Sequence, residues 1–195
     1  MTFDQITATT KNILTEDGFS IEKDFDFWRP FNYNKIKWKS TTTAIQILCS
    51  FVNEEKEIVI NQDITQKVLV PNKSIPLPTD EQKNAIEYLF SNEYELGKTI
   101  IDYIFLEYNK LREYYKESDD SDFMPKLDNS YGLTKLIELT QIFVLSNSNL
   151  GTSFIGFYFG CGWDDEHGIG LLTHKNTVLQ FGQIEEASDE YFKIQ

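Results

Sequence analysis

The stretch Phe154-Ile155-Gly156-Phe157-Tyr158-Phe159 is apolar at both of its alternating sets of positions. A strand with that pattern has no solvent face, so it reads as a central strand that other elements must flank and cover. Ile169 to Thr173 and Thr177 to Phe181 follow closely, joined by a turn near Lys175-Asn176. With a strand through Ile142 and Val144 that ends at Ser146-Asn147-Ser148-Asn149, they predict a β-meander over about residues 140–182.

The cover for this sheet is written upstream. Thr79-Asp80-Glu81-Gln82 has the form of a capping box, in which the Thr hydroxyl and the Gln amide each satisfy an unpaired backbone donor. Ala85, Ile86, Leu89 and Phe90 then recur at helical spacing. After a break at Ser91-Asn92, the residues Ile100, Ile101, Ile104, Phe105, Tyr108, Leu111 and Tyr115 form one apolar stripe at steps of three and four. They predict a helix from about Glu93 to Glu117, with Lys110, Arg112 and Lys116 near the negative end of its dipole. Leu133 to Thr140 reads as a further short helical segment.

The first third reads as strands and turns. Asp17-Gly18 marks a hairpin, charge and bulk alternate from Lys35 to Lys39, and Ile45, Ile47, Cys49 and Phe51 share one face at period 2, with Leu48 and Val52 on the other. Asn53-Glu54-Glu55 reads as a turn before short strands at Ile58–Ile60 and Val68–Val70, and Pro71, Pro76 and Pro78 punctuate an extended connector. The expected fold is therefore α+β: an antiparallel sheet with N-terminal strands (residues 1–70), a central two-helix segment (79–117) and a C-terminal β-meander (140–182), in one domain spanning 1–195.

Composition narrows the function. The chain has 195 residues, 41% hydrophobic and 14% aromatic, which is core-forming material that a solvated tail lacks. Eighteen basic residues against 31 acidic ones leave a net charge of −13, which disfavours nucleic acid and anionic membranes and favours a basic protein partner. No apolar run approaches the roughly 20 residues that span a bilayer, and Met1 to Gln5 has no signal-peptide pattern, so a cytoplasmic location is expected. Two cysteines, Cys49 and Cys161, are too few for a disulfide framework or a four-thiolate zinc site.

One window carries most of the chemistry-bearing side chains. From Gly160 to Gly170 the sequence Gly-Cys-Gly-Trp-Asp-Asp-Glu-His-Gly-Ile-Gly places a thiol, an indole, three carboxylates and an imidazole in what reads as a loop between two apolar strands. Cys161, Trp163, Asp164, Asp165, Glu166 and His167 are the candidate binding residues. Asp164, Glu166 and His167 have ligand types suited to a metal, but His174 lies too far along an extended strand to join His167, and the two-histidine spacing of hydrolytic zinc motifs is missing. A nucleophilic Cys161 activated by His167 or His174 would need a thiolate, which the neighbouring carboxylates oppose. Paired-carboxylate chemistry has candidates in any acidic protein. The architectural reading has Trp163 cap the edge of the core, the glycines allow close backbone approach, and Asp164 and His167 bind backbone amides or an arginine. Phe25, Phe27, Trp28, Phe31 and Tyr33 form a second aromatic cluster, and Tyr108, Tyr114 and Tyr115 a third; both read as core before interface. Glu117 to Asp122 reads as a solvated acidic loop.

The segment from Ile155 to Glu186 resembles the C-terminal signature of a bacterial family of unknown function: an apolar strand, then Cys-x-Trp-Asp-x-Glu-His-Gly-x-Gly, then two further strands. The capping box at Thr79 and the Tyr114-Tyr115 pair extend the likeness over roughly residues 79–186. Proteins similar to this family look like bacterial immunity or accessory proteins encoded near contact-dependent toxins, and no enzymatic activity comes with the signature; no cofactor is expected. It marks Trp163, Asp164, Glu166, His167 and Gly168 as family positions without a role. Where relatives show Gly-x-x-Asp after the third strand, this chain has Gly182-Gln183-Ile184-Glu185. The function expected from all this is non-catalytic binding of a basic partner protein such as a toxin domain; the alternative is a metal-assisted hydrolase built on Trp163 to His167.

Overall fold

A computed structural model describes residues 1–15, 18–32, 45–49, 53–61, 64–71, 77–115 and 124–188. Its frame is a seven-stranded sheet in the order β1-β2-β3-β6-β7-β8-β9, built from Lys11–Thr15, Gly18–Lys23, Ile45–Cys49, Ile137–Asn149, Thr152–Cys161, Asp164–His174 and Thr177–Gly182. A separate hairpin joins β4 (Asn53–Asn61) to β5 (Ile64–Pro71). The expected α+β class and C-terminal meander are present, and the apolar strand β7 is central, paired with β6 on one side and β8 on the other. β1 and β2 pair antiparallel up to Thr15 opposite Gly18, as the expected hairpin requires, while Asp17 lies outside the described residues.

The sheet departs from full antiparallelism at one seam, where β3 pairs parallel to β6. Parallel neighbours need a long crossover, and the chain between them supplies one that includes both long helices. The structure also corrects three local expectations. Asn53-Glu54-Glu55 is not a turn but the start of β4, because backbone pairing with residues 69–71 overrides the low strand propensity of Asn and Glu. Leu133 to Thr140 is not a helix: a 3-10 turn at Ser130–Lys135 is followed by β6, whose Ile137 and Leu139 enter the core at period 2. At the N-terminus a short helix, α1 (Phe3–Thr9), occupies part of the region read as strands and turns. It carries the same capping box as the later helix, Thr2 with Gln5, and buries Ile6.

The two central helices form as expected, except that Tyr114 and Tyr115, read as core, are exposed at the end of the second. α2 (Asp80–Ser91) starts where Gln82 N donates to Thr79 Oγ1 at 3.2 Å and Thr79 N to Gln82 Oε1 at 3.0 Å. The same Gln82 amide, fully buried, donates to the carbonyls of Val144 and Leu145, which pins the helix across β6. Asn92 ends α2 and opens α3 (Glu93–Tyr114), whose stripe of Leu96, Ile100, Ile101, Ile104 and Tyr108 is buried. Each such aliphatic side chain removed from water contributes about 1.5–3 kcal/mol. They meet Ile47, Ile142, Val144, Ile155, Phe157, Phe159 and Leu171 from the sheet. Phe25, Trp28 and Phe31 belong to the same core, with Trp28 against Phe159 at 5.4 Å, while Tyr33 lies outside the described residues. So do Lys35 to Lys39, Phe51, Val52, residues 72–76 of the connector, and the acidic run Glu117 to Asp122.

The other sheet face is closed by the chain's own return. After β9 the backbone turns through a 3-10 segment, Ile184–Ala187, that lies on Gly156 and Gly170. A Cβ on Gly156 would overlap the carbonyl oxygen of Ala187, and one on Gly170 that of Gln183. Gly182, opposite Gly170 in the register, leaves room for the Glu186 side chain, which accepts a bond from Gln180 Nε2 at 3.2 Å.

Candidate functional site

The polar window is a hairpin and a bulge. β7 ends at Cys161 and β8 begins at Asp164, with Cys161 and Asp164 paired across a two-residue turn of Gly162 and Trp163. Gly162 N donates to Leu136 O at 2.8 Å, which ties the turn to the start of β6. The next pair is Phe159 with Ile169, so four residues of β8, Asp165 to Gly168, oppose the single residue Gly160. That surplus must arch out of the ladder. Gly168 closes the arch at φ +63°, where a side chain would meet Phe159 O and the Tyr158 ring. The expected loop is thus a strand-borne bulge, fixed at both ends by the sheet.

This geometry divides the six candidate residues. Cys161 is fully buried beneath the turn, its Sγ 3.5 Å from Asp164 O. Burial pushes its thiol up to about 12, with the Asp164 and Asp165 charges as smaller contributions in the same direction. The expectation that the thiol is raised holds, but desolvation leads rather than the carboxylates, and a thiol this far from ionising is no nucleophile at neutral pH. Asp164 turns back on its own bulge: Oδ1 accepts the His167 amide at 3.0 Å and faces His167 Nδ1 at 3.0 Å. Glu166 and His167 are exposed on the arch. His174 sits at the far end of β8, with Nε2 3.0 Å from Asn149 O and its ring 5.0 Å from that of Phe154. Among the described residues, no three His, Cys, Asp or Glu side chains come together as a metal-binding group would require.

Trp163, Asp164 and Asp165 do converge with residues from elsewhere. They line a groove of about 610 Å³ between the end of α3 and the sheet, within the range of ligand-binding clefts. Leu111 and Tyr115 from α3 and Met124 form one side; Ile169, Phe181, Gly182 and Gln183 supply the sheet side. Trp163 is set from behind by Tyr108, ring centroids 4.9 Å apart and edge to face. Tyr108 is itself fixed, donating its hydroxyl to Pro125 O at 2.6 Å, and burial raises it to about 12. Arg112 Nε donates to Met124 O at 3.0 Å, holding the same segment against the helix. Trp163 therefore caps the core edge, as the architectural reading expects, and also faces the groove. Leu111 and Tyr115 are legible in the sequence as part of the helical stripe but not as neighbours of this window; Met124 and Phe181 carry no signal beyond being apolar.

Residues 27–188 match the family model described as a domain of unknown function (DUF6985). The chain belongs to that family. The match includes α2, α3, the meander and the returning segment, and begins well before residue 79, so the N-terminal strands β3 to β5 are part of the family's extent. No curated protein and no solved structure matches the chain. Among the described residues, no helix is long and apolar enough to cross a membrane.

Proposed function

We propose that this DUF6985 member is a non-catalytic protein-binding domain of immunity or accessory type, acting in the cytoplasm of a bacterium on a basic partner such as a toxin domain. The observation that carries this reading is the groove, in which two adjacent carboxylates, Asp164 and Asp165, share a lining with Trp163, Tyr115 and Phe181. Aromatic side chains at an acidic rim are the anchors of a protein interface, and a net charge of −13 steers a basic partner toward it. The polar groups of the window also support binding over chemistry: the thiol is buried and the imidazole is held by Asp164.

The test is affinity capture from the native host with the wild-type chain, Trp163→Ala and Asp165→Asn run together. A stoichiometric basic partner should be recovered by the wild type, lost with Trp163→Ala, and released as salt rises and the screening length falls below about 10 Å. Capture that ignores both variants would remove the groove from the interface, and no basic partner from lysates in which the neighbouring gene product is present would sink the reading.

A further inference from the structure

The groove specifies more than a basic partner. Deepening the binding role proposed above, we infer that the groove receives an arginine side chain carried on an extended segment of the partner. Three features of the lining select it. Asp164 and Asp165 are the only charged residues among the described lining, so the groove attracts a cation and presents no described cation against it. Leu111, Met124 and Ile169 form an apolar lining that strips water from whatever enters, which a strongly hydrated ammonium resists and a weakly hydrated guanidinium tolerates. Trp163, Tyr115 and Phe181 add π-systems on which a flat cation rests, and Trp gives the strongest such contact.

One of the two carboxylates is arranged to keep its place when that cation arrives. Asp164 is held through Oδ1 by the backbone and ring of His167, so its position is set by the bulge and not by the ligand. Asp165 follows it as the first residue of the arch, with its backbone continuous with the paired Asp164. Preorganised acceptors of this kind cost little ordering on binding, and a guanidinium can engage one in two-pronged fashion where an ammonium offers a point charge. The volume of about 610 Å³ is large enough for the arginine with its flanking backbone.

The probes are three blocked pentapeptides, Gly-Gly-Xaa-Gly-Gly, with arginine, lysine or citrulline at the centre, titrated into the full chain while the Trp163 indole N–H is followed by NMR. Citrulline keeps the shape of arginine and removes its charge. Saturable shifts are expected with arginine, at least ~5-fold weaker binding with lysine, and none with citrulline. Asp165→Asn should weaken the arginine peptide by ~10-fold or more, and Glu166→Gln, on the exposed arch outside the groove, should leave it within about twofold. Asp165 is exposed, so its amide variant tests the groove without removing packing. Equal binding of lysine and arginine, or an equal loss with Glu166→Gln, would overturn the assignment. If the arginine peptide fails while the partner is still captured through Trp163, the arginine is wrong and the binding role stands; if both fail, both are wrong.

Discussion

The two faces of the seven-stranded sheet are closed by opposite means. Under α2 and α3, closure comes from side-chain volume: Ile155, Phe157 and Phe159 of β7 project into a core with Ile100, Ile104 and Tyr108. On the reverse of the same strand, beside a small apolar cluster of Leu145, Phe154 and Leu172, closure comes from the lack of a side chain, since Gly156 and Gly170 let the segment after β9 lie directly on the backbone. The filled core tolerates exchange of one apolar residue for another of similar volume, and the glycine positions under the returning segment tolerate no added atom. The groove lies where these two solutions meet, its sheet side shared by Ile169 and Phe181 from the first and by Gly182 and Gln183 from the second.

Three substitutions or titrations test that contrast. The largest effect belongs to the filled face: Phe157→Ala should cost about 3–5 kcal/mol in urea denaturation, because the cavity sits under two helices that cannot close over it. Loss below about 1 kcal/mol would mean that the helices pack more loosely than described. On the glycine face the sign of the perturbation reverses. Gly170→Ala adds a methyl against the Gln183 carbonyl and should cost about 1–3 kcal/mol, and a variant cut after Gly182 should abolish that cost while lowering baseline stability. An equal penalty in the shortened chain would show that the returning segment is not what the glycine accommodates.

The third test asks whether water reaches the filled face. Burial raises Cys49 and Cys161 from about 9 to about 12, so the folded chain keeps its thiols neutral where the unfolded chain ionises them. Their contribution is complete below about pH 9 and is lost as pH climbs toward 12, each thiol removing about 1.4 kcal/mol per pH unit in that window. Denaturation midpoints at pH 8, 9.5 and 10.5 should therefore fall more steeply for the wild type than for Cys49→Ala. Parallel slopes would place water at Cys49.

How much of this was legible follows the same contrast. Volume announces itself in sequence, so the helical stripe through Ile100, Ile104 and Tyr108 and the doubly apolar β7 were readable from spacing alone. An absent side chain does not say what fills its place, and Gly156, Gly170 and Gly182 gave no hint of the segment that covers them. The missed α1 is a different case: Thr2 and Gln5 repeat the capping box of Thr79 and Gln82, but the helix that follows is too short to show a period. For the site, the window from Gly160 to Gly170 was found by its density of functional groups. Its division was hidden, because which residues face the groove depends on the bulge that Gly168 closes and on side chains from α3 and β9.

The parallel seam between β3 and β6 has a kinetic meaning. Each pairing within the meander joins residues a short distance apart, such as Phe157 with Leu171, whereas Gln46 finds Gln141 only after the whole middle of the chain has been threaded past. Loop closure of that length is the slow part of assembling such a sheet. This topology predicts that the meander with its helices forms first and the N-terminal strands dock last, leaving the edge of β6, remote from the groove on β8 and β9, open in between; pulsed hydrogen exchange that protected β1–β3 before β7 and β8 would refute it.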